Sequence, residues 1–582
     1  MKHMKKLVSV LLTLVMALVL AVPALAADTS TLTINTTNGH TYSVYQLLTG
    51  DVSGLTNGSG TLSNVEGGAN LKSGTTVDDF LAAINGRTGA ELGDTAYGYV
   101  SGTAKYTVNG TGSAENTTVE NGYYLVVDAY TASGDKPTDG SDTASRYMVA
   151  VVGPTTMTPK TSTPGIDKKI IDTDANAAID GENKKTDTAA IGDTIEYEIT
   201  GNVPNTEGYK YYYYVVHDTL SEGLTLNENS FEVTIGTKTL TKYTSGDAAN
   251  DNYYVYITKN SDGTTTFELA LEDLKTLVDT ADNGVSVGSA ISIKYNATVN
   301  DKAEIGKIPN TNTAKLEYSN NPGSSTRSDA ADKPGTPGTG AATGVGPEKI
   351  TKTYVTALTI LKVDENGMVL TGAEFTLTGD NLTKVIVETN TTFRAAAEGE
   401  TAEYYKLTND TYTKTAPSPA AAGEEGYNAN KYEDSTPKYV RVTTVTTSTA
   451  ATADGTTKKI VGIVGSDGCL TFTGLNAGTY TLSETKTPSG YNTMSDITFT
   501  ISATQSGSSN VEGSSITWSS DNATIVLDGT NGVFDTTIEN LPGTVLPSTG
   551  GMGTTLFYVL GSVLVLGAGI LLVTKKRMSS GK

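Results

Sequence analysis

The chain has 582 residues, a net charge of −22, three histidines and a single cysteine, Cys469. The length suits about three to four domains, and the acidity argues against nucleic acid as a partner. One cysteine excludes an intrachain disulfide, and three histidines with it leave no cluster for a metal, so no cofactor is expected.

The first 26 residues, MKHMKKLVSVLLTLVMALVLAVPALA, join a basic start, an apolar stretch and the small-residue pattern Ala24-Leu25-Ala26. This predicts a secretory signal peptide over residues 1–26 and an exported protein. The chain that follows is rich in Thr, Gly, Tyr and Val, and stretches such as TIEYEITG and YTLSETK alternate with period two. Such alternation predicts half-buried strands, so the body reads as all-β, a tandem of immunoglobulin-like β-sandwich domains. VDDFLAAING, residues 77–86, is the one internal stretch with helical periodicity.

Two composition shifts divide the chain. GPTTMTPKTSTPGIDKK carries three prolines, after which the strand pattern restarts. NNPGSSTRSDAADKPGTPGTGAATGVGPEK is rich in Pro, Gly and Ser and lacks periodicity, as linkers do. The expected organisation is an N-terminal domain over 27–160, a second over 163–338, a linker over 339–349 and a third over 350–541. Residues of about 380–457 are polar and weakly patterned and are expected to be a long insertion in the third. The last segment, 546–582, begins LPSTG and continues as an uncharged apolar run over 554–573. That run is long enough to cross a bilayer, and Lys575, Lys576 and Arg577 after it would stay on the cytoplasmic side.

The order of motif, spanning helix and basic tail fits the LPXTG sorting signal of Gram-positive surface proteins. The resemblance implies that a sortase cuts between Thr549 and Gly550 of the motif Leu546-Pro547-Ser548-Thr549-Gly550, and that an amine takes over the acyl group on Thr549. The helix would then be a transient membrane anchor. TMTPKTSTP places Lys160 after Pro159 at the end of the first domain. It partly matches the motif ending in Tyr-Pro-Lys of sortase-built pilin shafts, with Thr158 where the tyrosine would stand. A proline there favours an extended backbone, which would present Lys160 as the acceptor lysine. A solvated linker lysine is the plainer reading of the same residue.

The third domain opens ALTILKVDENGMVLTGAEFTLTG, continues GLNAGTYTLSETKTPSGYN and closes TTIENLPGT, and is similar to Cna-B-type domains. These form an intramolecular isopeptide bond, and the resemblance assigns the lysine to Lys362, the acid to Glu484 and the asparagine to Asn540. The second domain, with PGIDKKI, IGDTIEYEITGNVPN, YYYYVVHDTLSEGLTL and NTNTAKLEYSNNP, resembles the D2-type domain of backbone pilins. Position assigns Lys168, Asp218 and Asn320 there, with Lys169 and Asn312 as rivals. Burial disfavours charged forms, so the lysine is expected to act as a neutral amine and the carboxyl as a neutral acid. His217 should face away from Asp218, since adjacent strand residues point to opposite faces. In the first domain Glu120, in VENGYYLV, resembles the acid motif only loosely, and no isopeptide bond is expected.

Across nearly the whole exported chain the resemblance is to the SpaA-type backbone (major) pilins of Gram-positive bacteria. It implies a wall-anchored shaft subunit, not an enzyme with turnover. Its expected partners are a sortase, other copies of the chain, peptidoglycan, accessory pilins and host surface glycoproteins. The alternatives are a monomeric wall-anchored protein and a minor pilin or adhesin.

Overall fold

The computed structural model describes residues 29–56, 59–87, 89–131, 144–159, 163–171, 184–206, 209–244, 252–321, 327–388, 390–424, 427–444, 447–454, 457–506, 513–543 and 552–579. Strands dominate them, in three successive bodies and a terminal helix.

In the first body a three-stranded sheet centred on Thr29–Asn35 faces a five-stranded sheet built on His40–Thr56 and Gly122–Tyr130. Leu32, Ile34, Tyr42, Val44, Tyr124 and Val126 form the core between them. The expected helix is present as Val77–Ile84. Thr76 caps it by accepting from the Asp79 amide, two aspartates lie in its first turn, and Phe80 and Ile84, four apart, share its buried face. A second helix, Gly89–Tyr97, had no clear apolar stripe in the sequence. The two cover the outer side of the five-stranded sheet through Leu47, Leu48, Phe80, Ile84 and Leu125.

The second body is one continuous strand path from Thr186–Thr188 at one end to Ile166–Ile171 at the other. Its inward positions follow the period-two pattern: Ile195, Tyr197 and Ile199 on one strand, and Ile291, Ile293, Tyr295, Ala297 and Val299 on another. The stretch expected as a linker belongs here. Thr343–Val345 and Lys349–Tyr354 both pair antiparallel with Asn310–Ser319, so residues 350–354 extend this sheet before the third body starts. Apart from Tyr354, their buried positions are small or polar (Thr343, Gly344, Thr351, Thr353), which hid the alternation.

The third body is a sandwich of two six-stranded sheets. Its first strand, Thr356–Asp364, lies parallel to its last, Val533–Asn540. The 380–457 stretch is woven into both sheets. Lys384–Glu388 pairs with Cys469–Leu475, and Thr452–Asp454 with Thr457–Ile463. Between these, Asn390–Ala395 pairs with Tyr439–Thr444. Leu407 and Tyr432 make a small core with Val369, and Phe393 stacks on Tyr412 at 4.1 Å.

The second and third bodies meet closely. The Ile191 amide donates to the Gly474 carbonyl at 3.1 Å, the Lys384 amide to the Ile191 carbonyl at 3.0 Å, and Thr383 Oγ1 to Asp193 at 2.6 Å. Gly474 has φ +104, and a Cβ there would press on Ile191, so the junction needs glycine. Beyond them, Met552–Ser579 is a single helix whose Tyr558–Arg577 stretch is long and apolar enough to cross a membrane.

Candidate isopeptide sites

Lys168 falls on the inward parity of Ile166–Ile171, between Ile166 and Ile170, and is fully buried. Its amine meets Asp218 Oδ2, from the inward face of Tyr214–Leu220, and lies 2.6 Å from the Tyr295 hydroxyl. Tyr295 in turn donates to Asp218 Oδ2 at 2.8 Å and accepts from Asn312 Nδ2 at 2.9 Å. One phenolic oxygen therefore touches the amine, the carboxyl and an asparagine amide. The rings of Tyr197 and Tyr295 each lie 5.3 Å from the amine. Burial pulls the Lys168 amine down to about 8, only partly offset by Asp218, with the nearby Lys185 ammonium adding to the fall. Lys185 bonds the Lys168 carbonyl and Asp167. Burial pushes the Asp218 carboxyl up, against the pull of Lys168. Asp218 Oδ1 and Asn312 Oδ1 are buried without a hydrogen-bond partner.

The asparagine in this pocket is Asn312, not Asn320. Ladder pairing sets Asp218 opposite Ala314 and Leu220 opposite Asn312. Asn320 lies past Tyr318, which pairs with Tyr214, so it is about 20 Å from Ala314 at roughly 3.3 Å per residue. Its backbone serves elsewhere, donating to Ala342 and accepting from Ala144. The end of the last strand misled because Lys349–Tyr354 adds a further strand, and the asparagine that reaches the pocket is near the start of Asn310–Ser319. Lys169, the rival lysine, points to the other face and pairs with Glu198 at 2.9 Å. His217 likewise turns away from Asp218 and meets Glu317 at 2.8 Å.

In the third body Lys362 and Asn540 lie on hydrogen-bonded parallel neighbours. Lys362 pairs with Ile538, so Asn540 is the next residue on the same face. Both are buried, as is Glu484. Asn540 Nδ2 donates to Glu484 Oε1 at 2.9 Å and Oε2 at 3.2 Å, and the Met494 amide also donates to Oε2 at 2.9 Å. A ladder irregularity helps to aim the acid, since Glu374 pairs with Lys486 but Phe375 with Glu484, leaving Thr485 as the extra residue. The Lys362 amine donates to the Ile538 carbonyl at 3.1 Å, and burial pulls it down to about 8 against the fields of Glu484 and Glu539. Asn540 Oδ1 has no hydrogen-bond partner.

In the first body Glu120 meets Lys105 at 2.6 Å at the surface, and that hydrogen bond holds its carboxyl below the ordinary value. Lys160, the five residues Leu546, Pro547, Ser548, Thr549 and Gly550, and the 1–26 segment lie outside the described residues.

Sequence reasoning missed Tyr295. The signal was present: in AISIKYNATV the tyrosine stands on the strand's otherwise aliphatic inward face. A buried phenol normally finds a polar partner.

Part of each pocket falls in a segment that matches a known domain family. Residues 191–322, which hold Asp218, Tyr295 and Asn312, match the family described as Gram-positive pilin backbone subunit 2, Cna-B-like domain. Residues 428–515 match the SpaA prealbumin-like fold domain. The chain thus carries one segment matching a Gram-positive pilin backbone domain and another matching a SpaA prealbumin-like domain. It is 28% identical over 490 residues to the trypsin-resistant surface T6 protein of Streptococcus pyogenes serotype M6, covering 82% of this chain and 81% of that one. Among solved structures, the T6 backbone pilin of that serotype matches with a TM-score of 0.48 at 20% identity, over 89% of this chain and 99% of that one. The Corynebacterium diphtheriae major pilin SpaA matches with a TM-score of 0.41 at 14% identity, over 88% and 100%.

Proposed function

We propose that the chain is the shaft subunit of a covalent surface pilus, in which a sortase joins Thr549 of one copy to Lys160 of the next and the finished polymer is passed to peptidoglycan. What supports this most is the pilin-backbone match over residues 191–322, the stretch that supplies the acid and the asparagine of the second-body pocket.

Each pocket makes one bond, on itself. The neutral amine of Lys168 attacks Cγ of Asn312, the Cγ–Nδ2 bond breaks, and ammonia leaves. Asp218, having taken the lysine's extra proton, is the neutral acid that polarises Asn312 Oδ1. In the third body Lys362 attacks Cγ of Asn540 in the same way, Glu484 taking a proton from the attacking nitrogen and passing one to the departing Nδ2, which it already touches. Holding the groups in contact replaces a bimolecular step. The bond also relieves a cost: a buried ammonium and carboxylate are expensive to desolvate, whereas the product amide carries no charge. In the third body the link ties first strand to last, so pulling force passes through covalent bonds instead of the ladder between them.

The polymer is tested with boiled detergent extracts of cell wall, blotted for this chain, native against Lys160→Ala. The native chain should give a ladder of high-mass species that collapses to monomer in the variant. A ladder that survives moves the acceptor to another lysine. No ladder from the native chain sinks the shaft reading and leaves a monomeric wall protein.

A further inference from the structure

We propose that Tyr295 is a catalytic residue of the second-body bond, its hydroxyl carrying a proton from the attacking Lys168 nitrogen to the departing Asn312 nitrogen. This rests on the reading that Lys168 and Asn312 become joined.

The geometry points to a relay because of what the carboxyl touches. Asp218 Oδ2 contacts Lys168 and Tyr295, while the nitrogen that must leave contacts the Tyr295 oxygen. The phenol stands 2.6 Å from the nitrogen that must lose a proton and 2.9 Å from the one that must gain it. In the third body the acid itself touches the leaving nitrogen at 2.9 Å, so no such bridge is needed.

The step balances. Asp218 first takes the third ammonium proton and becomes the neutral acid. The Lys168 nitrogen then bonds to Asn312 Cγ and gives one proton to the Tyr295 oxygen. Tyr295 gives its own proton to Asn312 Nδ2, and that nitrogen leaves with the bonding pair as ammonia. The new amide keeps one hydrogen, and Tyr295 ends as it began, a neutral phenol. Burial and the adjacent Asp218 hold its hydroxyl far above the ordinary tyrosine range, so it is protonated when the reaction starts. The ring is fixed by Tyr197, Phe231 and Phe267, with centroids 5.3, 5.5 and 5.0 Å away. Tyr295→Phe therefore removes the oxygen and leaves the packing.

The test is the full chain made by cell-free synthesis and sampled over time, with the Lys168–Asn312 and Lys362–Asn540 cross-linked peptides followed by mass. In Tyr295→Phe the second-body link should form at least about a hundredfold more slowly, the low end for general acid–base catalysis, while the third-body link forms at the native rate. Thermal unfolding of the same samples checks the fold. Native chain synthesised in heavy water supplies a second measurement: a two-proton relay should slow the second-body link more than the third. If Tyr295→Phe is folded and links at the native rate, the relay is overturned alone. If the native chain never links Lys168 to Asn312, the bond reading falls and the relay with it.

Discussion

The second and third bodies hold the same three chemical groups in different resting partnerships. In the second, the acid is paired with the amine and reaches the asparagine only through a tyrosine. In the third, the acid is paired with the asparagine, and the amine leans on a main-chain carbonyl. The strand relations differ too. Lys362 and Asn540 lie on bonded neighbours in one sheet, whereas Lys168 sits on the end strand of a path in which Asn312 is near the opposite end. One bond would reinforce an existing seam, and the other would fasten a long path to itself. The chemistry requires only that lysine, acid and amide share a dry pocket, and two strand arrangements supply that.

The comparison breaks first at the acids. Asp218→Ala should prevent the second-body link and leave the Lys168 amine buried without the carboxylate that sustains its charge. Breaking a buried pair by removing one partner costs about 3–5 kcal/mol. A cross-link spanning well over about 100 residues is worth roughly 5 kcal/mol by loop entropy. Together these should lower the second-body melting transition by roughly 15 °C or more, read by calorimetry. Glu484→Ala also prevents its link, but Lys362 keeps its carbonyl contact, so the third-body transition should fall less. Equal shifts would show that the resting partnerships carry no energetic difference.

A narrower test separates the two asparagines. Asn312→Ala should abolish the second-body link and remove the cross-link's roughly 5 kcal/mol, with no loss of the Lys168–Asp218 contact. Asn320→Ala should leave the link intact, since ladder register puts it far from the pocket. Peptide mapping decides it, and a link that survives Asn312→Ala would overturn the assignment.

Much of this was legible in the residues. Period-two alternation marked the strands, whereas Lys168 was preferred to Lys169 only by its place after PGID, and the inward parity that separates the two is seen in the fold. Asp218 and His217, adjacent on one strand, had to face opposite ways. The acceptor was not legible, because choosing Asn312 over Asn320 needs the register of Asn310–Ser319 against Tyr214–Leu220, and register is a tertiary fact. The linker failed for a related reason. Its strands bury threonines, so hydropathy shows no contrast, and only the partner strand reveals them. Tyr295 was overlooked because an inward tyrosine also packs as a hydrophobe, and its ring here does both jobs.

The smallest expected effect concerns pH, and it follows from counting protons. An ammonium with a carboxylate and an amine with a carboxylic acid hold the same single proton, so pH does not shift one into the other. The reactive second-body pair therefore persists over a plateau. Above about 8, where burial has placed the Lys168 amine, the pair loses that proton. The amine remains nucleophilic, but Asp218 is then a carboxylate and cannot polarise the amide. At the acid end the pair gains a proton and Lys168 stays an ammonium with no base to relieve it. Because burial raises the Asp218 carboxyl, this limb lies above the ordinary aspartate range. The rate of second-body linking should thus fall about tenfold per pH unit beyond each limb, with the alkaline limb near about 8. Lys362 is also drawn down to about 8, so the third-body profile should bend at the same alkaline pH despite its different contacts. Cross-linked peptide measured across a pH series checks both profiles in one sample. A second-body rate that kept climbing well above about 8 would mean that only the free amine matters and that Asp218 does not act as an acid.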